Sequence, residues 1–144
     1  MTTTLSASLS AAWELSRPDS GLAIVSTLRA DQTIQASLVN TGIVEGRLAF
    51  VTYGPVKLAN LRARPQVTVA FRNGWRWATV EGLAELAGPD DPRAGLDAEG
   101  LRRLLREIFT AAGGTHDNWD EYDRTMREQR RTAVLITPSR VYGS

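Results

Sequence analysis

The sequence predicts an α+β fold in which about six short antiparallel strands form a small barrel with a few helices beside it. Apolar runs of strand length are separated by hairpin signals such as Glu45-Gly46 and Asn73-Gly74. The helical patterns are grouped instead of following every strand, which favours α+β over alternating βαβ units. The chain has 144 residues, 42% of them hydrophobic, so we expect a single domain, 1–144, with its own core.

The N-terminal third predicts one helix followed by three strands. Leu5, Leu9 and Trp13 recur at helical spacing over residues 5–15. Pro18 ends that helix, because proline lacks an amide donor. The strand patterns that follow cover residues 22–28, 33–44 and 47–53.

The rest of the chain predicts three more strands and three helices. Gly54 ends the third strand, and Pro55 suits the first position of a helix over residues 56–63. Gly82 predicts a bulge or a close backbone contact within its strand. The strand patterns are 67–71, 75–86 and 132–142, and further helical patterns run from Leu101 to Phe109 and over 117–129.

Composition and charge exclude several classes of function. The formal net charge is +1 without a basic stripe, so we do not expect a nucleic-acid partner. The absence of cysteine excludes a disulfide, a thiolate nucleophile and a Cys-based metal site, and His116 alone does not make a usual zinc site. The N-terminus lacks a signal-peptide pattern and no run reaches the roughly 20 apolar residues of a membrane span. We therefore expect a cytoplasmic protein with no membrane partner and no resident metal.

Lys57 is the one lysine among 17 Lys and Arg residues, and it lies in the first turn of a predicted helix. A cation there faces the positive end of the helix dipole, at a cost of roughly 0.3–1 kcal/mol. Our hypothesis is that an anionic group of a small molecule offsets this cost; the alternative is a solvated surface lysine. Thr52 and Tyr53 close the preceding strand and Asn60 shares the helix face, so these three are candidates for the same site.

Two further groups of residues have both a structural and a functional interpretation. Gln35 and Ser37 share a strand face, which is either solvent-exposed or the wall of a cleft that hydrogen-bonds a heterocycle. Trp75 and Trp77 are placed on one strand face, where they serve either packing or stacking on a flat ring. The residues show no paired carboxylates, thiol or histidine dyad, a pattern typical of proteins whose cofactor performs the chemistry.

Four segments in this order carry a family resemblance: LAIVSTLRADQTIQASLV, LAFVTYGPVKLANLRARPQVTVAF, WRWATVEGLAEL, and NWDEYDRTM followed by RRTAVLITPSRVYG. They resemble the pyridoxamine-phosphate-oxidase-like split β-barrel family, and within it the actinobacterial F420-dependent flavin/deazaflavin oxidoreductases. The resemblance extends from about Leu22 to Gly143. It implies a homodimer of six-stranded antiparallel split β-barrels of the FMN-binding type with flanking helices, and cofactor sites at the dimer interface.

The resemblance also implies roles for particular residues. Lys57 matches the phosphate-binding lysine of the family and Asn60 a residue beside it. Gln35 and Ser37 fall on the strand that runs along the deazaflavin ring. The remaining matches are an aromatic position near the cofactor and a position in the C-terminal helix region, occupied here by Trp75 and Met126.

The function implied is an oxidoreductase that passes a hydride from reduced F420 to an unsaturated or oxidised small organic substrate. One alternative is a protein that carries or sequesters F420 without turnover of its own, and another is an FMN-dependent relative. Pro55 stands where some relatives have an arginine that helps to hold the phosphate. The arginine-rich phosphate set of true pyridoxamine phosphate oxidases is not recognisable either. Together these departures weaken the case for FMN and for vitamin B6 oxidation.

Overall fold

One curled antiparallel sheet organises the fold in the computed structural model, which describes residues 2–144. Its seven strands lie in the order β2-β1-β5-β6-β7-β4-β3 and form a half-barrel. The strands are β1 Leu22–Leu28, β2 Ile34–Asn40, β3 Gly42–Val44, β4 Arg47–Thr52, β5 Gln66–Asn73, β6 Arg76–Ala87 and β7 Thr132–Gly143. The helices are α1 Thr2–Glu14, α2 Pro55–Ala63, α3 Ala98–Ala111 and α4 Trp119–Glu128.

The predicted number of six strands is wrong, because the predicted strand 33–44 is two strands at opposite edges of the sheet. β2 pairs with β1, whereas β3 pairs with β4. The chain changes edge at the fully buried Thr41, whose amide and Oγ1 both donate to the Gly21 carbonyl oxygen, at 2.9 and 2.6 Å. This bend connects the two edge strands, and the sheet curls into a half-barrel.

The core has two parts, one on each face of β7. Val134 and Ile136 pack with α1, α2 and the inner faces of most strands, whereas Ala133 and Leu135 pack with α3. A strand covered on both faces needs apolar residues at successive positions, which explains the run AVLI at 133–136. α2 contributes Leu58 to the first part, so the start of α2 is fixed against the sheet.

Several local predictions are confirmed. The register of the β6–β7 pair shifts between Glu81 and Gly82, and a Cβ on Gly82 would lie 2.3 Å from the Thr137 carbonyl oxygen. Glu45 and Gly46 adopt the positive φ angles of a tight hairpin turn, 55° and 73°. None of the helices in residues 2–144 is both long and apolar enough to cross a bilayer.

α4 begins at Trp119, two residues after the predicted start at 117. Its N-cap is Asn118, whose Oδ1 accepts from the Glu121 amide at 3.2 Å. Asn118 itself donates its amide to Nδ1 of His116, at 3.0 Å. His116 therefore supports the entry to α4.

Candidate functional site: a pocket at the start of α2

A pocket of about 550 Å³ lies between the end of β4, the start of α2, and helices α3 and α4. We call it the Lys57 pocket. Its lining consists of Leu38, Val39, Asn40, Val51, Thr52, Tyr53, Gly54, Pro55, Lys57, Ile108, Phe109, Ala112, Tyr122, Met126 and Arg131. The volume suits a small organic molecule or part of a larger cofactor. Four of the eight predicted site residues meet here: Thr52, Tyr53, Lys57 and Met126.

Lys57 is buried, with 6% of its surface exposed. The face of α2 that carries it also carries Leu58 and Leu61, and their burial in the core holds the lysine against the sheet. Its Nζ lies 5.6 Å from the centre of the Phe50 ring. Among residues 5–144 no carboxylate lies within 4.0 Å of Nζ, and burial alone lowers the pKa of Lys57 from its ordinary value. The pocket thus contains a cation without a counter-ion.

The first turn of α2 adds backbone donors beside this cation. The N-cap is Gly54, which has no side chain to accept a hydrogen bond from the turn. Leu58 is the first residue whose amide bonds back to the Gly54 carbonyl oxygen, at 3.1 Å. The amides of Val56 and Lys57 therefore have no acceptor within the helix. Thr52 orients this start, because its Oγ1 accepts from the Gly54 amide at 3.2 Å.

Arg131 is a second cation of the pocket, and no sequence pattern predicted a role for it in the site. The turn between α4 and β7 places it, with its amide bonded to the Met126 carbonyl oxygen at 3.0 Å. Its guanidinium lies 3.9 Å from the centre of the Tyr53 ring, and burial lowers its pKa. The β4–β7 register pairs Thr52 with Thr132, so Tyr53 and Arg131 follow side by side. This strand pairing brings Arg131 to the site, and the sequence alone does not show which strands pair.

Asn60 and Gln35 lie outside the pocket lining and are joined to each other through Thr27. The Asn60 Nδ2 donates to Thr27 Oγ1 at 3.0 Å, and Thr27 Oγ1 donates to Gln35 Oε1 at 3.2 Å. This chain of hydrogen bonds ties α2 to β1 and β2. It positions the lysine-bearing helix, and a direct contact of either residue with a cofactor stays a prediction.

Ser37 lies on the same inward face of β2 as Gln35, as the alternation predicted. Its Oγ is buried and has no hydrogen-bond partner among residues 5–144. The opposite face of the strand carries Ile34 and Leu38, which are 65% and 58% exposed. The inward face of β2 thus carries two polar side chains, Gln35 and Ser37, beside the buried Val39, whereas its outward face exposes large apolar side chains.

Trp75 lies apart from the pocket lining. It occupies the turn between β5 and β6, with 98% of its surface exposed. The prediction that Trp75 and Trp77 share a strand face is wrong, because the turn consists of Gly74 and Trp75 and β6 begins at Arg76. Contact between Trp75 and a cofactor stays a prediction.

Aromatic side chains form part of the pocket lining. Phe109 and Tyr122 line it, with ring centres 5.0 Å apart, and Trp119 packs 5.3 Å from Tyr122. The Tyr122 hydroxyl donates to the Leu105 carbonyl oxygen at 3.1 Å, and burial raises its pKa to about 12. Tyr122 is therefore a fixed, neutral wall at physiological pH.

Comparison with known proteins shows the fold. No protein-family model matches the chain. An F420 reductase has 17% sequence identity, a TM-score of 0.60, and coverage of 84% of this chain and 88% of that one. A candidate pyridoxamine 5′-phosphate oxidase of Listeria innocua has 16% identity, a TM-score of 0.61, and coverage of 96% and 97%. A heme-binding protein of Mycobacterium smegmatis has 16% identity, a TM-score of 0.59, and coverage of 85% and 48%.

These identities establish a common fold and leave the cofactor open. The chain has the pyridoxamine-phosphate-oxidase-like fold, as the resemblance implied. Proteins with this fold include one named for F420 and one named for heme. The chemistry of the Lys57 pocket is therefore the basis on which to choose among cofactors.

Proposed function

We propose that this protein is an oxidoreductase that binds reduced F420 in the Lys57 pocket and passes a hydride to an unsaturated or oxidised small organic substrate. The observation on which the proposal depends is Lys57, a buried cation without a counter-ion at the start of a helix. Burying an unpaired charge is costly, so a site of this kind is expected to acquire an anion. The likeness to a structure named F420 reductase adds support at the level of the fold.

The residues of the pocket fit the phosphate of such a cofactor. Lys57, the two free amides of the first turn of α2, and the Arg131 guanidinium supply donors and positive charge from two sides. Some relatives hold the phosphate with an arginine at the position of Pro55. In this proposal Arg131 supplies the guanidinium that Pro55 lacks. In this proposal Thr52 keeps the start of α2 in place and Tyr53 orients Arg131 by stacking.

The ring of the cofactor would lie against the apolar wall of the pocket. Val39, Phe109 and Met126 supply that wall, and Tyr122 supports it with its hydroxyl already bonded. Bound deazaflavin supplies the hydride. The protein's part is to orient the two reactants and to exclude water, and the proton that completes the reduction is proposed to come from solvent.

We further propose that the active form is a homodimer. The outer face of β1 and β2 exposes Ile24, Ile34 and Leu38, and Leu38 also lines the Lys57 pocket. A second copy placed on this face would cover the apolar residues and close the pocket on that side. We expect Leu38→Glu to give a monomer in light scattering and to bind F420 at least tenfold more weakly. Unchanged binding by a monomeric variant would contradict the placement.

The experiment that tests the proposal is an anaerobic titration of the protein with F420 and with FMN, followed by fluorescence. Reduced F420 is then mixed with the protein and a panel of enones and quinones, and the return of the oxidised absorbance is recorded. We expect tighter binding of F420 and turnover of at least one acceptor. Binding without turnover across the panel would identify a carrier, and tight binding of FMN alone would identify an FMN-dependent relative. Failure of both cofactors to bind would contradict the proposal.

A further inference from the structure

A second pocket of about 550 Å³ adjoins the first and shares Met126 and Arg131 with it. It lies between the loop after β6, helix α3 and helix α4, and we call it the Arg127 pocket after the residue on α4 that lines it. We propose that this pocket binds a largely apolar molecule that carries a carboxylate. The two pockets share these two residues, but the test below uses no F420, so the proposal can be tested independently of the cofactor proposed above.

Part of the lining of the Arg127 pocket is apolar. Leu96, Leu101 and Leu105 line it together with Met126, and the loop adds two prolines. Ligand sites of this volume are typically apolar with a few polar groups that fix orientation. A site with this lining favours a ligand whose main part is hydrocarbon or aromatic.

The acidic side chains around the pocket are already engaged. Asp91 pairs with Arg62, Asp97 caps α3 by accepting from the Gly100 amide, and Glu99 pairs with Arg102. Asp123 accepts from Arg106 Nε at 2.9 Å and also pairs with Arg102. Arginines therefore neutralise three of these carboxylates, whereas Asp97 keeps its charge and is engaged with a backbone amide alone.

The basic side chains are not all matched. Arg93 pairs with Glu85 and Arg130 pairs with Asp90. Within residues 5–144, Arg127 and Arg131 have no carboxylate within 4.0 Å. The unmatched charge of the lining is therefore positive. A guanidinium matches the two oxygens of a carboxylate in a paired arrangement, which makes a carboxylate the favoured head group.

The shared methionine provides a direct probe of binding. The chain has two methionines, so labelling with 13C-methyl methionine gives at most two methyl signals, and Met126→Leu assigns the one in the pocket. Decanoate, decanol and acetate are then titrated into the protein, with decanoate kept below its micelle concentration. We expect decanoate to shift the Met126 signal to saturation. Decanol lacks the charge and acetate lacks the apolar chain, so each should bind at least tenfold more weakly.

Variants identify which pocket holds the probe. Arg127→Gln should weaken decanoate binding about tenfold, the loss expected when one charged hydrogen bond is removed. Arg124→Gln is the matched control, because this arginine lies on the same helix outside both pockets with a 62% exposed side chain. It should leave binding unchanged, as should Lys57→Met.

Three outcomes would overturn the proposal. One is a Met126 signal that does not respond to decanoate, and another is equal binding of decanoate by wild type and Arg127→Gln. The third is loss of decanoate binding in Lys57→Met, which would place the probe in the Lys57 pocket. These three decanoate measurements can be made whether or not F420 binds. The two proposals can therefore be rejected independently of each other.

Discussion

Two buried charges in this molecule are treated in opposite ways. Asp123 of α4, with 7% of its side chain exposed, lies between Arg102 and Arg106 of α3 and accepts hydrogen bonds from both. Lys57 of α2 is equally buried and has no carboxylate within reach among residues 5–144. The matched charge joins two helices, whereas the unmatched one faces a pocket. We conclude that the first serves the fold and the second serves a ligand.

The pKa shifts follow the same division. Hydrogen bonds from Arg106 and then Arg102 hold the pKa of Asp123 below its ordinary value despite burial, so this carboxylate stabilises the fold above its unfolded pKa and the gain is lost as pH falls. Burial lowers the pKa of Lys57. The buried charge of Lys57 therefore lowers the free energy of unfolding at neutral pH. This destabilisation disappears as the pH rises from the lowered pKa of the folded state to the pKa of the unfolded state.

The largest effect is expected from removing the matched charge. Asp123→Asn should lower the free energy of unfolding by about 2–3 kcal/mol, because two arginines lose their shared partner; we take less than the full value for a buried pair since both guanidiniums are partly exposed. Urea unfolding measures this. Asp120→Asn, an exposed position on the same helix, should change stability by less than about 0.5 kcal/mol. Equal effects of the two variants would show that the pairing of Asp123 with Arg102 and Arg106 adds nothing to stability beyond an exposed carboxylate.

The next effect concerns binding at the unmatched charge. Lys57→Met keeps the length and apolar contacts of the side chain and removes the ammonium. F420 binding should weaken by about 1.5–3 kcal/mol, the range for a hydrogen bond to a charged group. Fluorescence titration measures the dissociation constant, and an unchanged constant would place the anion elsewhere.

Arg131 should contribute somewhat less. Arg131→Gln is expected to weaken F420 binding about tenfold, or about 1.4 kcal/mol, because the guanidinium is one of several donors around the phosphate. Arg130→Gln is the neighbouring control, since Arg130 pairs with Asp90 and does not line the Lys57 pocket. If the two variants bind F420 with the same dissociation constant, the guanidinium of Arg131, which stacks on Tyr53, has no part in cofactor binding.

The smallest effect has the opposite sign. Without ligand, Lys57→Met should be more stable than the wild type by about 1 kcal/mol at pH 7, because it no longer buries an unpaired charge. Thermal unfolding measures the difference, and saturating F420 should raise the unfolding temperature of the wild type far more than that of the variant. A less stable variant would show that the ammonium contributes to the fold itself.

Local chemistry was predictable from the sequence where neighbouring residues determine it. The Glu45-Gly46 turn and the start of α2 depend on residues next to each other in the chain. Gly82 marked the position of the bulge, although the carbonyl oxygen that requires a glycine there, that of Thr137, lies on the neighbouring strand. Long-range contacts were not predictable in the same way. The division of the strand at Thr41 requires a hydrogen bond to Gly21 across the fold, and no local pattern shows it.

The candidate site shows the same limit. The position of Lys57 in the first helical turn was visible, but its burial and its lack of a partner were not. The alternation in β2 correctly predicted which residues share a face of the strand. It did not predict which of the two faces lies inside, because that depends on the curl of the sheet. For Trp75, a shift of one residue in the turn moves the side chain out of the strand.

The most direct test of the unmatched charge is the pKa of Lys57 itself, measured by NMR. Because the chain has one lysine, 13Cε-lysine labelling gives one lysine side-chain signal to follow against pH. The account predicts a pKa below the ordinary 10.5 in the free protein and a higher value when F420 is bound, since an adjacent anion favours the charged form. A pKa at or above 10.5 without ligand, or one that does not change at saturating F420, would contradict it.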